Sequence, residues 1–525
     1  MTSSFNLTSE AWIPCELADG TMKGLSTAEA LGLAHQVRAI ADSSPLVVGA
    51  LHRHLLAVLH RAHDGPRSLG DWSRLARLGR FEGELVGAYL ERAADRMDLF
   101  HPEHPFGQAR GLVEQFNVTP IDELGVERSG WGSGRELFQH RDPMVAATMT
   151  PAEAARALLA HHAFATGGLI KKPGEPTSAT GAPLTKAALV LLRGRNLFET
   201  LMANLLVYDP ARAVPVPCDA GDAPAWEQAA PPRSLPVGKE PKKMPLGWLD
   251  LLTWLSRRIE LVEQDGLVTG FVRAVGKGLD DAFERDPMVT YGLDEKRGFV
   301  PIAMNPKRAF WRNANALFES NRPERQFLRP MAIDLVSAPE VQDVLGQDVA
   351  FQVEVFGIAA YQSRVDDIGR ERVYAHARLF DDPEAFEAVN EVLRLAEDMV
   401  GALRYALRAG YARYMLSAGD RQPDKKDMSA LADSLGAEPR AYAQLGQLFD
   451  EFLLTLARDP ALAVEDFRSG ADRCVRDCFQ VATSGAEGTG GALKAQAMGT
   501  RLLNMSLAKL KKTNEGAELT PEARA

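Results

Sequence analysis

The sequence predicts an α+β protein. A large mixed α/β N-terminal domain with irregular loops runs to about residue 380, and a C-terminal four-helix bundle follows it. Three observations carry this. First, Val349 to Ile358 (V-A-F-Q-V-E-V-F-G-I) alternates as a strand does, inside a region that otherwise mixes helical runs with loops. Second, the stretches 98–143 and 209–245 are loop-rich, and the latter holds nine prolines. Third, beyond Asp382-Pro383, which reads as an N-cap with Pro in the first turn, apolar residues recur at three- and four-residue spacing in four successive runs.

The chain opens with an extended segment, Phe5 to Leu17, and a turn at Asp19-Gly20. Helical spacing predicts helices over Pro45–His63, Phe81–Met97 and Pro151–His162. After the strand at 349–358, the polar run Tyr361 to Arg372 reads as a turn into a returning strand, Val373 to Leu379. The bundle helices begin at Asp382, around Leu445–Leu456, at Val464–Ala482 and at Leu493–Leu510, with a break at Ser484–Gly491. The boundary is placed at 380, which gives domains 1–380 and 381–525.

At 525 residues, 46% apolar and 25% charged, the chain has the composition of a globular protein with room for two cores. The N-terminus lacks a secretory pattern, and no run of about 18 apolar residues suggests a membrane span. Four scattered cysteines do not make a disulfide framework, so a cytoplasmic setting is expected. Cys474 and Cys478 share a helix face and read as small buried thiols.

Catalytic signatures are missing: there is no G-x-x-x-x-G-K-[ST], G-x-S-x-G or H-E-x-x-H, and no paired CxxC. His52 and His54 point to different helix faces, His101 and His104 sit in turns among prolines, and Asp366-Asp367 reads as a solvated turn. His63-Asp64 is an HD dipeptide of the kind some metal-dependent phosphohydrolases or nucleases use, and it defines an enzymatic alternative. No catalytic residue and no cofactor or metal is assigned.

One segment departs from the acidic balance of 60 Lys+Arg against 70 Asp+Glu. Thr166 to Arg195 carries Lys171, Lys172, Lys186, Arg193 and Arg195 against a single acid, Glu175, among many Gly, Ser and Thr. Such a segment is either a solvated loop or a local phosphate contact, with backbone amides exposed to an anion. Lys186, Arg193 and Arg195 belong to the scaffold that follows it.

Five segments in order carry a resemblance: Phe5–Cys15 (F-N-L-T-S-E-A-W-I-P-C), Pro45–Ala62, Met97–Gln108 (M-D-L-F-H-P-E-H-P-F-G-Q), Gly130–His140 (G-W-G-S-G-R-E-L-F-Q-H), and the basic loop running into Gly194–Leu206. Together they resemble the CasA family, the large subunit of the type I-E CRISPR surveillance complex Cascade. The resemblance is clearest over 1–206 and implies a DNA- and RNA-binding antiviral-defence protein that is not an enzyme. It implies recognition of the PAM duplex, opening of that duplex to start an R-loop, and help in recruiting the nuclease-helicase. The implied partners are the other Cascade subunits, CRISPR RNA, double-stranded target DNA and the CRISPR nuclease-helicase. A subunit that only bridges RNA and protein is a further alternative.

Residue by residue, the resemblance places PAM contacts on the loop 167–181, with Gly167, Gly168, Lys171, Lys172, Gly174 and Gly181. Small residues there would admit the minor groove, where reading is degenerate. Lys277 is the candidate for a further PAM-contacting lysine, with Arg273 as rival. Tyr361, Gln362 and Ser363 resemble a glutamine-tipped wedge. Trp131, Gly132, Ser133, Gly134 and Phe138 resemble the loop that reaches guide RNA and neighbouring subunits. Relatives with a cysteine cluster in the proline-rich middle differ from this chain, which has only Cys218 there, so no zinc is expected.

Overall fold

The computed structural model describes residues 4–128, 146–171, 176–208, 221–231, 233, 235, 240–305, 308–320, 322, 324–346, 349–361, 364–417, 423–485 and 490–518, with backbone alone at Tyr361, Arg364 and 512–518. By internal contacts the chain divides into one unit of Met1–Phe310 with Glu319–Val373, and a second of Trp311–Phe318 with Tyr374–Ala525.

In the first unit the helix Pro45–His63 is the organising element. Ser44 caps it through Val47 N, Pro45 fills its first turn, and every residue from Leu46 to His60 is buried. A helix buried on all sides is surrounded by other elements rather than laid on a surface. Two of its polar residues are held by partners on the helix or around it. His52 Nδ1 bonds Val48 O at 2.7 Å. Arg53 pairs with Asp286 at 2.8 Å and donates to Leu251 O at 2.9 Å. The helix Pro151–Phe164 carries a capping box, Thr150 with Glu153. The predicted Phe81–Met97 helix is Gly83–Ala93 with a 3-10 turn to Arg96.

Among the sheets of this unit, three lie against helices. Ile13–Leu17 lies between Met22–Leu25 and Val37–Ile40. Leu267–Val275 pairs antiparallel with Arg257–Gln264. Ala350–Tyr361 lies between Leu189–Arg193 and Arg364–His376. Its register puts Gln352 opposite Arg193 and Phe356 opposite Leu189.

The return strand differs from its expectation. Residues 364–372 are strand, not a polar turn; the strand ends at His376, and Ala377–Leu379 form a 3-10 turn. Asp366-Asp367 accordingly sits on a strand. The polar run holds extended backbone because Arg370 and Arg372 find a buried carboxylate across the sheet, at Glu354.

The second unit is helical. Its four long helices are Pro383–Tyr405, Ala437–Leu456, Pro460–Ser484 and Gly490–Glu518, with a shorter Lys425–Ser434 between the first two. Asp382 caps the first through Glu384 N and Ala385 N, with Pro383 behind it. That helix continues into a π-helical stretch, Ala406–Ala412. There Gly410 meets Gly499 so closely that a Cβ on Gly410 would lie 2.5 Å from the Gly499 Cα. Phe449, fully buried, stacks between Trp311 and Phe452 with ring centroids 5.4 and 5.7 Å away. Cys474 and Cys478 are free and buried, both directed at Gln444 Oε1.

Candidate nucleic-acid interface

The distinctive basic segment folds into a hairpin, Gly168–Ile170 paired antiparallel with Thr177–Ala179. Alternation sorts its side chains. Ile170 and Ala179 enter an apolar cluster with Leu112, Val272, Ala274 and Val275. Leu169 faces outward, 79% exposed, with Ser178 opposite it.

A buried ionic clamp fixes the base of this hairpin. Glu240 Oε2 accepts from Thr180 N at 2.7 Å and Thr180 Oγ1 at 2.8 Å. Arg257 donates to Thr166 O at 3.2 Å, to Thr180 O and to Ser256 O. The two charges lie 3.6 Å apart, with only 2% and 4% of their side chains exposed. Burial pulls the Arg257 guanidinium down to about 10, which leaves it protonated at neutral pH. The clamp's bonds to the hairpin join residues 60 to 91 positions apart in sequence.

The glycines serve closure. A Cβ on Gly167 would stand 2.8 Å from Ala179 O and 3.1 Å from Gly181 N. Gly168 has φ +145°, a region that side chains avoid. At Gly181 a Cβ would meet the Thr185 side chain at 2.8 Å.

The cations are held rather than loose. Lys171 bridges Ala274 through its backbone, and its ammonium donates to Asn117 O at 2.8 Å. Lys277 lies 3.3 Å from Asp250 Oδ1 and 4.0 Å above the Trp254 ring. Burial lowers its pKa, against the pull of Asp250. Its rival Arg273 is directed inward at His161 Nε2, 3.4 Å away. The neighbouring Lys242 and Lys243 form an exposed parallel bridge to Gly278–Leu279. Lys172 and Gly174 lie outside the described residues.

The long hairpin Ala350–Tyr361 and Arg364–His376 is anchored at Glu354, whose side chain is fully buried. Its Oε1 accepts from Arg193 at 2.9 Å, Arg370 at 2.9 Å and Arg372 at 3.0 Å. Burial opposes the charge, yet the guanidinium groups hold the carboxyl below its usual range. Tyr361 closes the first strand; Gln362 and Ser363 lie outside the described residues. So do Trp131, Gly132, Ser133, Gly134 and Phe138, and Cys218. The structure thus brings Gly167, Gly168, Lys171 and Gly181 together on one hairpin. It also supplies residues that sequence reasoning missed, Thr180, Glu240, Arg257 and Glu354. Glu240 lay in the proline-rich connection, with no local signal.

Several of the described histidines have structural roles. His52 Nδ1 bonds Val48 O at 2.7 Å, and His54 sits among Trp12, Phe106 and Trp226. Burial pushes them to about 4 and about 3, so both are neutral. His101 Nδ1 accepts from Glu103 N and His104 N, closing a turn. In the HD dipeptide Asp64 is a left-handed helix cap, and its carboxylate pairs with Arg67 at 2.8 Å. Among the described residues no three His, Cys, Asp or Glu are gathered to hold a metal. No helix among them is long and apolar enough to cross a membrane.

The first unit thus carries a short hairpin on a buried clamp and a second, longer hairpin anchored on a buried carboxylate. The family described as CRISPR-associated protein Cse1 matches residues 6–478. The CRISPR-associated protein CasA/Cse1 of Thermus thermophilus is 35% identical over 472 residues, covering 87% of this chain and 88% of that protein. The chain belongs to the Cse1/CasA family. The crystal structure of Thermus thermophilus CasA superposes with a TM-score of 0.82 at 30% identity, over 97% of this chain and all of that one. Thermobifida fusca Cse1 gives a TM-score of 0.82 at 25% identity over 97% of each chain. A chain of a CRISPR RNA-guided surveillance complex, at 20% identity and a TM-score of 0.73 over 95% of this chain and 99% of that one, shares the fold.

Proposed function

We propose that the chain is the large subunit of a type I-E Cascade complex, working in the cytoplasm without a cofactor. It recognises the PAM duplex, wedges it open to start the R-loop and helps recruit the nuclease-helicase. Family membership supports the setting among other Cascade subunits and CRISPR RNA. The observation that most supports the DNA-reading role is the clamped hairpin. Its base is clamped, its outward side chains Leu169 and Ser178 are exposed, and Lys171 stands at its end. Such a face can approach a groove closely, while guide pairing reads the long sequence. The chain's net charge of −10 fits this division. An acidic subunit binds DNA weakly alone and relies on the assembled complex for affinity.

In this reading Lys171 and Lys172 meet phosphates beside Gly167–Gly181, Lys277 supports them, and the turn at Tyr361-Gln362-Ser363 separates the first base pair. Residues 131–138 contact guide RNA and neighbouring subunits. The chain is a binding subunit, and Asp64, held by Arg67, offers no support for the HD alternative. The test is R-loop formation by a reconstituted complex on targets with and without the PAM. Lys171→Ala with Lys172→Ala should weaken PAM-dependent binding about tenfold or more, and Gln362→Ala should slow opening. Retention of full PAM-dependent R-loop formation by both variants defeats the assignment.

A further inference from the structure

We infer that Arg193, Arg370 and Arg372 form a second phosphate site, one that grips the backbone of the bound nucleic acid at the root of the long hairpin. Glu354 is the starting point. One fully buried carboxylate is met by three guanidinium groups, all on Oε1. The cluster therefore carries three positive charges against one. His52 beneath it is neutral and adds none.

An ion pair built only for stability needs no such excess. Guanidinium groups converging on one oxygen repel one another, and a single carboxylate offsets only part of that. Glu354 has fixed three forks in place while leaving most of their donors unused. The guanidinium groups of Arg193 and Arg372 make no other hydrogen bond among the described residues, and that of Arg370 adds only a ring contact, over Phe356 at 5.5 Å. The Nε of Arg370 is buried and without an acceptor. The cluster also reaches the surface in graded fashion, with side-chain exposures of 16%, 25% and 47% from Arg193 to Arg372. Planar donors of fixed spacing, surplus positive charge and an open side are the requirements of a phosphate site.

The ligand class follows from the position. From Glu354 to Tyr361 the strand spans seven residues, about 23 Å at the usual rise. A phosphate at the cluster thus belongs to nucleic acid lying about 23 Å from the hairpin turn. This rests on the proposed function above, because it takes that turn to be the point of duplex opening. Either the duplex or the separated strand offers the same phosphate chemistry.

The experiment uses the reconstituted complex carrying Arg372→Gln. Arg372 is the most exposed of the three, and its loss leaves Arg193 and Arg370 on Glu354. Target affinity is measured from about 50 to 200 mM salt. Loss of one phosphate contact should lower affinity about tenfold at the low end and about threefold at the high end, with the slope of log K against log salt falling by about 1. The unfolding midpoint should stay in place, and Arg372→Lys should restore the slope.

An unchanged slope overturns the site, even if affinity falls, because a merely structural role moves affinity alone. Failure of Arg372→Lys to restore the slope overturns it as well. The same titration on an intact duplex, a duplex with a premelted bubble and the single strand shows which form supplies the phosphate. If the wild-type complex shows no PAM dependence, the proposed function fails, while the Arg372 comparison is still read on the bubble and single strand. If PAM dependence is intact and Arg372→Gln is silent on all three, the phosphate site alone fails.

Discussion

The two units solve the burial of charge and polarity in opposite ways. The helical unit buries rings and aliphatic faces, as at Phe449, Phe452 and Phe467. The first unit threads charges and imidazoles through its core: Arg53 with Asp286, Arg257 with Glu240, and Glu354 with three arginines. Of the eleven histidines only His376 follows residue 162. Apolar faces hold a shape over a wide range of conditions. Buried polar groups fix particular backbone positions and make them conditional on protonation and pairing.

Acid should therefore separate the units, and this is the largest effect expected. Burial lowers His52 and His162 to about 4 and His54 and His60 to about 3. In the unfolded chain each takes up a proton below about pH 6.5. Between that value and the folded pKa the unfolded state binds more protons, so stability is lost as pH falls. A single imidazole held near 4 contributes about 3 kcal/mol of this loss by pH 4. Asp450 in the helical unit runs the other way. Burial raises it to about 6, so the folded state binds the extra proton and that contribution grows as pH falls from about 6 to 4. Hydrogen exchange at pH 7 and 4.5, corrected for intrinsic rates, should show Pro45–His63 opening while Ala437–Leu456 stays protected. Equal loss in both helices breaks the contrast.

A narrower test removes one charge from the hairpin clamp. Glu240→Ala strands Arg257 in the core, with Thr180 N and Oγ1 unpaired. Breaking a buried pair costs about 3–5 kcal/mol. The expected readouts are a lower urea midpoint for the first unit and rapid proteolysis near 167–181, with the helical unit's transition unmoved. An unchanged midpoint would mean the clamp does not organise the hairpin.

The same contrast explains what could be read in the sequence. The helices were legible because burial along a helix repeats locally: Pro45–His63 and Pro383–Tyr405 announce themselves by period and cap. The strand 350–361 was legible by alternation. Its partner was legible only in its last part, 373–376, because Arg370 and Arg372 look solvated until Glu354 is known to lie across from them. The hairpin at 168–179 stood out by charge and glycine content, but its fixing residues did not. Thr180 to Glu240 is a separation of 60 residues, and no local pattern links them. Motif order identified the family, since it draws on many segments at once.

The smallest expected effect concerns a cation that the charge count alone would have put beside the candidate site. Arg195 closes the basic segment, but its guanidinium is 89% exposed and reaches back to Glu199, at 2.6 Å, four residues along. The link favours the charge on Arg195 and ties the chain at the start of Leu197–Asn204. Exposed pairs of this kind are screened by water and salt and contribute within about 0.5 kcal/mol. Arg195→Ala should therefore leave the urea midpoint almost unchanged and leave target affinity within about twofold in the assembled complex, with no change in salt slope. Arg193, two residues earlier, is turned by its strand onto the buried Glu354, with only 16% of its side chain exposed. If Arg195→Ala instead lowers the slope as Arg372→Gln is expected to, then the charge of the whole segment acts diffusely, and positioning by buried partners is not what distinguishes its cations.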